Sequence, residues 1–441
     1  MNSTTLTPPF TAEGTTAEHK SIKDALYRKI TWRLIPFLFV CYVLSYLDRV
    51  NVGFAKLQML GDLNLSNAAY GLGAGIFFIG YFLFEVPSNL ILHKMGARRW
   101  ISRIMVTWGL LSAGMMFVTG PISFYVIRFL LGVAEAGFFP GIILYMTYWY
   151  PSHRRASIIA MFLCAIPMSG VLGGPLSGWI LTYLDNASGL RGWQWMFVIE
   201  GLPAVLMGIA TWFYLDDQID KAKWLTLSEK TMAREAIALD NTQKSEVTIK
   251  SGLCSPRVLV LCAIYFSLLM GLYGISFWLP TIIATAGVKN AFHIGLISAV
   301  PYALAIFAML FGARSADRKL ERRWHVIIAA LLGAAGLAGS VLAGANQGLA
   351  MLAFCVATMG IMSTLPLFWS LPTAFLGGLG AAAGIAFITS VGNLAGFAAT
   401  YAIGALKDIT SSTNAGMFML AGFLVLAAAL VLTIPAKLVN K

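Results

Sequence analysis

Charged side chains are scarce in this chain, and their scarcity sets it apart from soluble proteins. Asp, Glu, Lys and Arg make up 11% of the 441 residues, against roughly 25% in typical soluble domains. The five cysteines form no Cys-x-x-Cys pair, and the five histidines have no metal-ligand spacing. We therefore expect no disulfide framework, no metal and no cofactor. The sequence also has neither a nucleophile elbow nor a phosphate-binding loop, so an enzyme is not expected.

Long apolar runs take the place of the missing charge. Hydrophobic residues form 58% of the chain and the mean hydropathy is +0.77, which predicts an integral membrane protein. A helix needs about twenty apolar residues to cross roughly 30 Å of hydrocarbon. Runs of that length occur at twelve positions, numbered here as spans 1 to 12: 33–55, 68–92, 101–119, 122–147, 157–184, 194–215, 257–286, 292–316, 324–343, 348–370, 380–404 and 415–434.

The spans fall into two sets of six. One long polar stretch, which opens with "DDQIDKAKWLTLSEK", separates spans 1–6 from spans 7–12. We therefore predict an all-α membrane protein made of two pseudo-symmetric six-helix bundles, the layout of a duplicated transporter. The predicted parts are an N-terminal tail (1–32), an N-terminal bundle (33–215), a linker (216–256), a C-terminal bundle (257–434) and a C-terminal tail (435–441).

The basic residues indicate how the chain is oriented. The net charge is +12, but the basic residues lie in short clusters between spans, so nucleic acid is not the expected partner. Of the 31 Lys and Arg residues, 25 fall in the two tails and in the loops on the same side of the membrane. Because cytoplasmic loops carry the excess of Lys and Arg, both termini are predicted to be cytoplasmic.

Several short stretches resemble a known family. The loops "HKMGARRW" (93–100) and "ADRKLERRW" (316–324) resemble the signature of the major facilitator superfamily, although His93 stands where the first copy would carry Asp. "YLDRVNVGFA", "VIRFLLGVAEAGFFPG", "YWYPSHRRA" and "GWQWMFVIEGLP" together resemble the anion:cation symporter family within it. The resemblance implies a monomer with the major facilitator fold in a bacterial inner membrane. It also implies the transport of organic anions such as tartrate, phthalate, hydroxyphenylacetate or sugar acids, generally with protons.

The few charges inside the spans are the candidate functional residues. An ionised side chain near the bilayer centre costs about 2.5–3.5 kcal/mol on insertion scales, so such residues normally face a wet cavity or a partner. Spans 7–12 have none away from their ends. Those of the first half are Asp48, Arg49, Glu85, Arg128 and Glu135, with Glu200 nearer a span end.

Two of these charges are predicted to bind an anion. Arg49 and Arg128 each lie six residues, or about 9 Å, from the same predicted boundary. A guanidinium group grips a carboxylate through paired hydrogen bonds, so we predict that both bind substrate. The alternative is that they belong to buried structural ion pairs.

The acids are predicted to carry protons or to hold the fold together. Glu135 follows Arg128 by seven residues on one helical face, about 10 Å away, and we predict that it couples transport to protons. Asp48 points about 100° away from Arg49, so we expect another partner, Arg128 being one candidate. For Asp48 both proton coupling and structural pairing remain open. Glu85 and Glu200 each lie near a Pro and are expected to be structural.

Neutral side chains are predicted to complete the site. We assign substrate binding to Tyr81 in span 2, Tyr273 in span 7, and Trp369 and Ser370 at the end of span 10. The family resemblance implies a substrate-contacting Asn in span 11, which corresponds to Asn393 in "SVGNLAGF". Interhelical hydrogen bonding is the alternative role of this carboxamide.

The functional hypothesis is a proton-coupled symporter that imports a small organic carboxylate by alternating access. Moving one negative charge into a compartment that is negative inside costs about 2.3 kcal/mol per 100 mV, and each co-transported proton offsets one such charge. Tartrate-like hydroxy acids or aromatic acids are the expected cargo. Sugar acids are one alternative. A proton-coupled drug exporter is another, because "SGVLGGPLSG" in span 5 resembles the motif of facilitator-type antiporters.

Overall fold

Twelve helical spans make up the structure, a computed structural model that describes residues 12–242, 255–344, 346–375 and 378–439. The spans correspond one to one with the twelve predicted, and no strand occurs in the described ranges. In chain order their helices are Ala12–Val50 with Val52–Asp62, Asn67–Met95, Ala97–Gly114, Pro121–Glu135 with Phe138–Thr147, Ser152–Leu163 with Ala165–Tyr183, Gly192–Tyr214, Pro256–Thr285, Ala291–Lys319, Arg323–Leu342, Gln347–Phe375, Gly378–Thr410 and Asn414–Leu432.

The segments predicted to lie outside the spans contain further helix. The N-terminal tail is helical from Ala12 and runs without a break into span 1. The linker carries the helix Leu227–Thr242, whereas its residues 243–254 lie outside the described ranges, as do residues 1–11 of the tail. Short helical turns occur at Met115–Phe117, Ala187–Gly189, Ile219–Lys221 and Ala436–Val439.

The contacts between spans repeat with a period of six. Span 3 packs against span 6 as span 9 packs against span 12, and span 2 packs against span 4 as span 8 packs against span 10. Between the bundles, span 2 packs against span 11 and span 8 against span 5. Spans 2 and 8 occupy equivalent places in the two halves, and so do spans 5 and 11, so the two pairings are equivalent. This is the pattern of an internal repeat. The predicted pair of pseudo-symmetric six-helix bundles is therefore confirmed.

The bundles meet closely at the end opposite the two tails, called the distal end below. A Cβ added to Gly295 of span 8 would lie 2.1 Å from the carbonyl oxygen of Gly174 in span 5. On the other side of the interface, a Cβ on Gly404 of span 11 would lie 2.3 Å from the carbonyl oxygen of Asn67 in span 2. Only glycine permits backbones to approach so closely. The distal end is thus closed in this conformation.

Polar contacts add to the closure of the distal end. Asp408 at the end of span 11 accepts hydrogen bonds from the backbone N–H groups of Asn67, at 3.1 Å, and Ala68, at 2.7 Å. An acidic side chain at a helix N-terminus is favourable because the first N–H groups of a helix have no partner within it. Lys56 of span 1 is buried with its Nζ 3.3 Å from the ring centroid of Trp278 in span 7, a cation–π contact between the bundles.

Span 4 is interrupted beside a charged residue, directly after Glu135, where Gly137 has φ +86°. Span 1 also divides into two helices at Asn51, but the Asn51 backbone keeps helical dihedral angles (φ −57°, ψ −30°). A Cβ at Gly137 would also lie 2.3 Å from the Ser88 hydroxyl. Non-helical backbone at membrane depth is tolerated where protein or a water-filled cavity surrounds it. The break in span 4 lies in the interior of the N-terminal bundle.

The glycine contact at the distal end predicts the effect of a bulkier residue there. Gly295→Val should prevent tight closure, because the added side chain would overlap the backbone of span 5. In detergent-solubilised protein without its native cysteines, a Ser276→Cys thiol should then react with a maleimide several-fold faster. Gly422→Val is the matched control, since a Cβ at Gly422 meets open space. An unchanged reaction rate in Gly295→Val would contradict this account of closure.

Candidate functional site

A buried ion pair joins span 1 to span 4 at the centre of the N-terminal bundle. Arg49 Nη2 donates to Glu135 Oε1 at 2.5 Å, and the two side chains are only 6% and 1% exposed. Ser45, one helical turn before Arg49, donates its hydroxyl to the same oxygen at 2.7 Å. Removing one partner of such a pair leaves an uncompensated buried charge, at a cost of about 3–5 kcal/mol. Arg49 and Glu135 therefore depend on each other in this conformation.

The hydrogen bonds continue from this pair into the other bundle. Arg49 Nη1 lies 3.5 Å from the Tyr273 hydroxyl, to which it donates. That hydroxyl in turn donates to Asn393 Oδ1 at 3.0 Å. One chain of contacts thus runs from span 4 through spans 1 and 7 to span 11. The structure brings four predicted site residues together: Arg49, Glu135, Tyr273 and Asn393.

A cavity lies beside Arg49 between the two bundles. About 30 Å³ of it is open to the centre of a water molecule, which is enough for roughly two waters. The cavity is too small to hold a hydroxy acid in this conformation. Its polar and aromatic lining is Tyr42, Tyr46, Arg49, Tyr81, Phe139, Tyr265, Tyr273, Thr389 and Asn393.

Arg128 lies outside this cavity in the present conformation. It is fully buried, and its Nη2 donates to the carbonyl oxygen of Ala74 at 3.1 Å. Its Nε and Nη1 atoms have no hydrogen-bond partner. The ring of Phe77 contacts both guanidinium groups, with its centroid 5.0 Å from Cζ of Arg128 and 5.3 Å from Cζ of Arg49. The two arginines share an aromatic neighbour but do not together line the cavity.

Asp48 does not face Arg128, which was a candidate partner on sequence grounds. Its carboxylate accepts from Trp108 Nε1 at 2.7 Å and from the Ser112 hydroxyl at 2.8 Å, and both donors belong to span 3. The helical rotation of about 100° per residue explains the difference. With Arg49 directed at span 4 and the cavity, its neighbour Asp48 points about 100° away, toward span 3.

The remaining acids connect spans through hydroxyl groups. Glu85 of span 2 accepts from Ser390 of span 11 at 2.9 Å, across the bundle interface. Glu200 of span 6 accepts from Ser177 of span 5 at 2.6 Å within the N-terminal bundle. Among the described residues, no group of three or more His, Cys, Asp and Glu side chains could hold a metal ion.

The two predicted residues of span 10 lie near the cavity rather than in its wall. The Trp369 ring packs edge-on against Tyr265, with 5.1 Å between centroids, and Tyr265 does line the cavity. The Ser370 hydroxyl donates to the carbonyl oxygen of Leu367 at 2.6 Å, which satisfies it within its own helix. Span 10 thus reaches the site directly through Leu365, which lines the cavity, and indirectly through the contact of Trp369 with Tyr265.

Sequence reasoning missed several residues of the site. Tyr42, Ser45 and Tyr46 form one face of span 1 with Arg49, because residues at positions i, i+3, i+4 and i+7 share a helical face. That polar spacing in an apolar run was the available signal. Phe77 and Tyr265 gave no such signal, since aromatic residues in membrane helices mostly pack in the core or at the interfaces.

The sequence matches the family model of the Major Facilitator Superfamily over residues 38–400. The chain belongs to this superfamily. The match covers spans 2 to 10 completely and most of spans 1 and 11, and it ends before span 12. The predicted major facilitator fold is therefore confirmed.

Curated relatives of this superfamily member are transporters. A candidate metabolite transport protein of Pseudomonas putida, NicT, is 49% identical over 419 residues, covering 95% of this chain and 96% of that protein. A candidate tartrate transporter of Agrobacterium vitis is 49% identical over 417 residues, covering 93% and 91%. A quinolone resistance transporter of Acinetobacter baumannii is 44% identical over 423 residues, covering 94% and 96%.

A solved structure supports the fold. The Escherichia coli xylose transporter XylE, in a partially occluded inward-open conformation, aligns with a TM-score of 0.71 at 16% identity, covering 91% of this chain and 98% of that chain. At this identity the likeness concerns the fold alone. Together with the family and its relatives, it shows a multi-pass membrane transporter and not an enzyme, in agreement with the anion-transporting resemblance.

The buried ion pair predicts an ordering of mutant stabilities. Arg49→Ala leaves Glu135 buried without its cation and should lower the free energy of unfolding by about 3–5 kcal/mol. Tyr273→Phe removes the hydrogen bond to Asn393 and the 3.5 Å contact with Arg49, and should cost about 1–2 kcal/mol. Thermal unfolding in detergent, followed by intrinsic fluorescence, measures both. Replacing both partners, as Arg49→Met with Glu135→Leu, should recover most of the loss. Equal midpoints for Arg49→Ala and Tyr273→Phe would contradict the ion pair.

Proposed function

We propose that the protein is a proton-coupled symporter that imports a small organic carboxylate, with tartrate-like hydroxy acids or aromatic acids as its cargo. The observation that carries the proposal is the pairing of Arg49 with Glu135 at the wall of a central cavity. Glu135 holds the guanidinium group of Arg49 at the cavity wall, and the carboxylate of a bound substrate can replace Glu135 as its partner. The relatives with tartrate and metabolite transporter names support this substrate class.

Proton coupling follows from competition for Arg49. An anionic substrate and an ionised Glu135 would both bind the same guanidinium group and repel each other. A proton on Glu135 removes that repulsion and frees Arg49, while Ser45 still satisfies the carboxyl group. One proton is thereby taken up for each carboxylate bound. Release of the substrate restores the Arg49–Glu135 pair and returns the proton.

The other predicted residues have parts in this cycle. Tyr81, Tyr273 and Asn393 line the cavity, so their hydroxyl and amide groups are placed to hold the hydroxyl groups of a substrate. The guanidinium group of Arg128 has two nitrogens without a hydrogen-bond partner and lies against the ring of Phe77. Arg128 would join the site when this ring moves away. Trp369 would support the cavity wall through its contact with Tyr265, and Ser370 would act from the neighbouring position on span 10.

The setting of this cycle is also part of the proposal. The excess of Lys and Arg on the side of the tails favours cytoplasmic termini in a bacterial inner membrane. Import of a monovalent anion with one proton is then electroneutral, and any further proton lets the membrane potential drive uptake. We propose that one chain performs the cycle, because each chain contains both bundles and the whole cavity between them.

Export of drugs is the second candidate function. The relative named as a quinolone resistance transporter favours it. The sugar acids remain an alternative cargo for import, because a sugar acid carries the same carboxylate. Arg49 at the cavity wall favours an anionic cargo over a cationic one in either direction of transport.

Uptake into proteoliposomes tests the proposal. Labelled tartrate should accumulate under an inward proton gradient with the membrane potential held near zero, and a protonophore should abolish the accumulation. Arg49→Ala and Arg128→Ala should reduce uptake at least tenfold, since each removes a cation that binds the substrate. Glu135→Gln should lose accumulation but keep exchange of labelled for unlabelled substrate. Glu235→Gln, on an exposed helix, is the control.

The outcomes separate the candidate functions. Full proton-driven accumulation by Glu135→Gln would refute its coupling role. A panel of unlabelled competitors then identifies the cargo: tartrate, phthalate and a sugar acid, each beside its uncharged ester or amide. Competition by the uncharged forms as strong as that by the acids would refute anion recognition. Extrusion of a quinolone without competition by any of the acids would favour the exporter.

A further inference from the structure

Two lysines from different bundles meet at the closed distal end. By the order of the spans, only four basic residues lie on that side: Lys56, Arg191, Lys289 and Lys407. Lys56 Nζ of span 1 lies 3.3 Å from the centroid of the Trp278 ring in span 7, and Lys407 Nζ of span 11 lies 5.9 Å from the same centroid. Lys56 is 3% exposed and Lys407 is half-buried. Half of the scarce positive charge of the distal side thus converges on one buried indole ring.

No acidic side chain pairs with either of these lysines in the described part of the chain. Arg191 of the same side, by contrast, forms ion pairs with two aspartates. Asp408 is next to Lys407 in sequence, but its carboxylate accepts from the backbone at the start of span 2. Lys407 and Asp408 act on Lys56 through space with opposite signs. Both ammonium groups therefore remain able to bind an anion from outside the protein.

Three buried donor groups near this point have no hydrogen-bond partner. They are Lys56 Nζ, Trp278 Nε1 and the Thr281 hydroxyl. Trp278 and Thr281 are three residues apart on span 7, so they share one face of that helix. Buried donors in folded proteins are nearly always paired, because an unpaired donor costs free energy. A group of unpaired donors suits a ligand that offers only acceptors, such as an ionised carboxylate.

Lys56 also lies on the same side of span 1 as Arg49. The two residues are seven positions apart, which is two helical turns or about 10 Å, and residues at this spacing share a helical face. The helical dihedral angles at Asn51 preserve the spacing. Between the two levels, Asn51 and Phe54 line a cavity of which about 20 Å³ is open to the centre of a water molecule. An anion that entered from the distal end would thus pass Lys56 before it reached Arg49.

We propose that Lys56 and Lys407, together with the two unpaired donors of span 7, form an anion-binding site at the distal entrance, which takes a carboxylate when the distal end is open. Opening separates the bundles and brings both ammonium groups into water, where lysine is charged. A bound carboxylate replaces the Trp278 ring as the partner of Lys56. When the anion moves on to Arg49, Lys56 returns to the ring and the entrance closes. The use of this site for uptake rests on the proposed function, whereas anion binding by it does not.

Two thiol reagents of opposite charge test anion binding without any substrate. In detergent-solubilised protein without its native cysteines, Ser276→Cys is treated with sulfonatoethyl methanethiosulfonate, an anion, or with trimethylammonioethyl methanethiosulfonate, a cation. The ratio of the two rates does not depend on how often the distal end opens, because both reagents need the same opening. Lys56→Met should lower the anion-to-cation ratio about threefold to tenfold, since it removes one of two charges on the way to the thiol. Lys56→Arg should preserve the ratio.

The control is the same substitution at an exposed lysine of a distal loop. Lys289→Met removes one charge from the same side and should change the ratio much less than Lys56→Met does. A Lys56 that only locked the distal end would behave differently: Lys56→Met would speed both reagents equally and leave the ratio unchanged, which would overturn the proposal. An equal fall in Lys289→Met would also overturn it, because the attraction would then come from the general charge of the surface.

A second variant keeps the test decisive if Lys56→Met does not fold. Lys407 is only half-buried, and Lys407→Met leaves the buried contact between Lys56 and Trp278 in place. It should lower the ratio in the same direction. Molar salt should lower the wild-type ratio as well, because salt screens exposed charges. An unchanged ratio in Lys407→Met would show that the two lysines do not form one site.

Uptake kinetics test the use of the site in transport. In proteoliposomes, Lys56→Met should raise the KM for labelled tartrate supplied at the distal side several-fold, with little change in the maximal rate, because Arg49 is untouched. A lock would instead change the maximal rate. An unchanged KM would overturn the use of the site for uptake. If wild type carried no carboxylate, the proposed function would fail, while the ratio of reagent rates would still decide whether the entrance binds an anion.

Discussion

The pairing of Arg49 with Glu135 is the constraint on which the centre of the molecule depends. A buried guanidinium group and a buried carboxylate are each unfavourable alone, so spans 1 and 4 must keep them within contact distance. Span 4 reaches this position by packing closely against span 2 at Gly132, where a Cβ would lie 2.0 Å from the carbonyl oxygen of Phe77. The same contact holds the Phe77 ring beside Arg49. The close packing at Gly132 thus helps to position Glu135 of span 4 beside Arg49 of span 1.

The ion pair also links local chemistry to the arrangement of the bundles. Arg49 belongs to the N-terminal bundle, yet its second nitrogen reaches Tyr273 and through it Asn393 in the other bundle. Any change in what Arg49 binds therefore alters a contact between bundles. The distal closure through Asp408 and Lys56 lies outside this chain of contacts. Alternating access requires the two sets of contacts to change together, and span 1, which carries both Arg49 and Lys56, connects them.

Sequence reasoning predicted the parts of this arrangement that depend on the cost of polar groups in lipid. Composition and run length identified twelve spans, and the cost of burial singled out Arg49 and Glu135. Sequence reasoning did not predict that Arg49 and Glu135 form a pair, because contact between residues on two helices depends on how each helix is rotated about its axis. The break after Glu135 changes the course of span 4 in mid-span and leaves no trace in hydropathy. Arg128 was one candidate partner for Asp48, whose hydrogen bonds instead come from span 3. Of the aromatic wall of the cavity, Tyr81 and Tyr273 were predicted, whereas Tyr42, Tyr46 and Tyr265 were missed because tyrosine serves packing and binding alike.

The four buried acids of the N-terminal bundle, Asp48, Glu85, Glu135 and Glu200, differ in what surrounds them. Glu135 faces Arg49, the cation that the proposed substrate also needs, so in the proposed cycle its ionisation is linked to binding. Asp48, Glu85 and Glu200 instead accept hydrogen bonds from hydroxyl and indole donors, and none of them forms an ion pair in the described ranges. An acid that shares its cation with the substrate must give that cation up before the substrate can bind. In the proposed cycle, protonation of Glu135 is therefore the condition for loading, whereas the other three acids can keep their hydrogen bonds throughout.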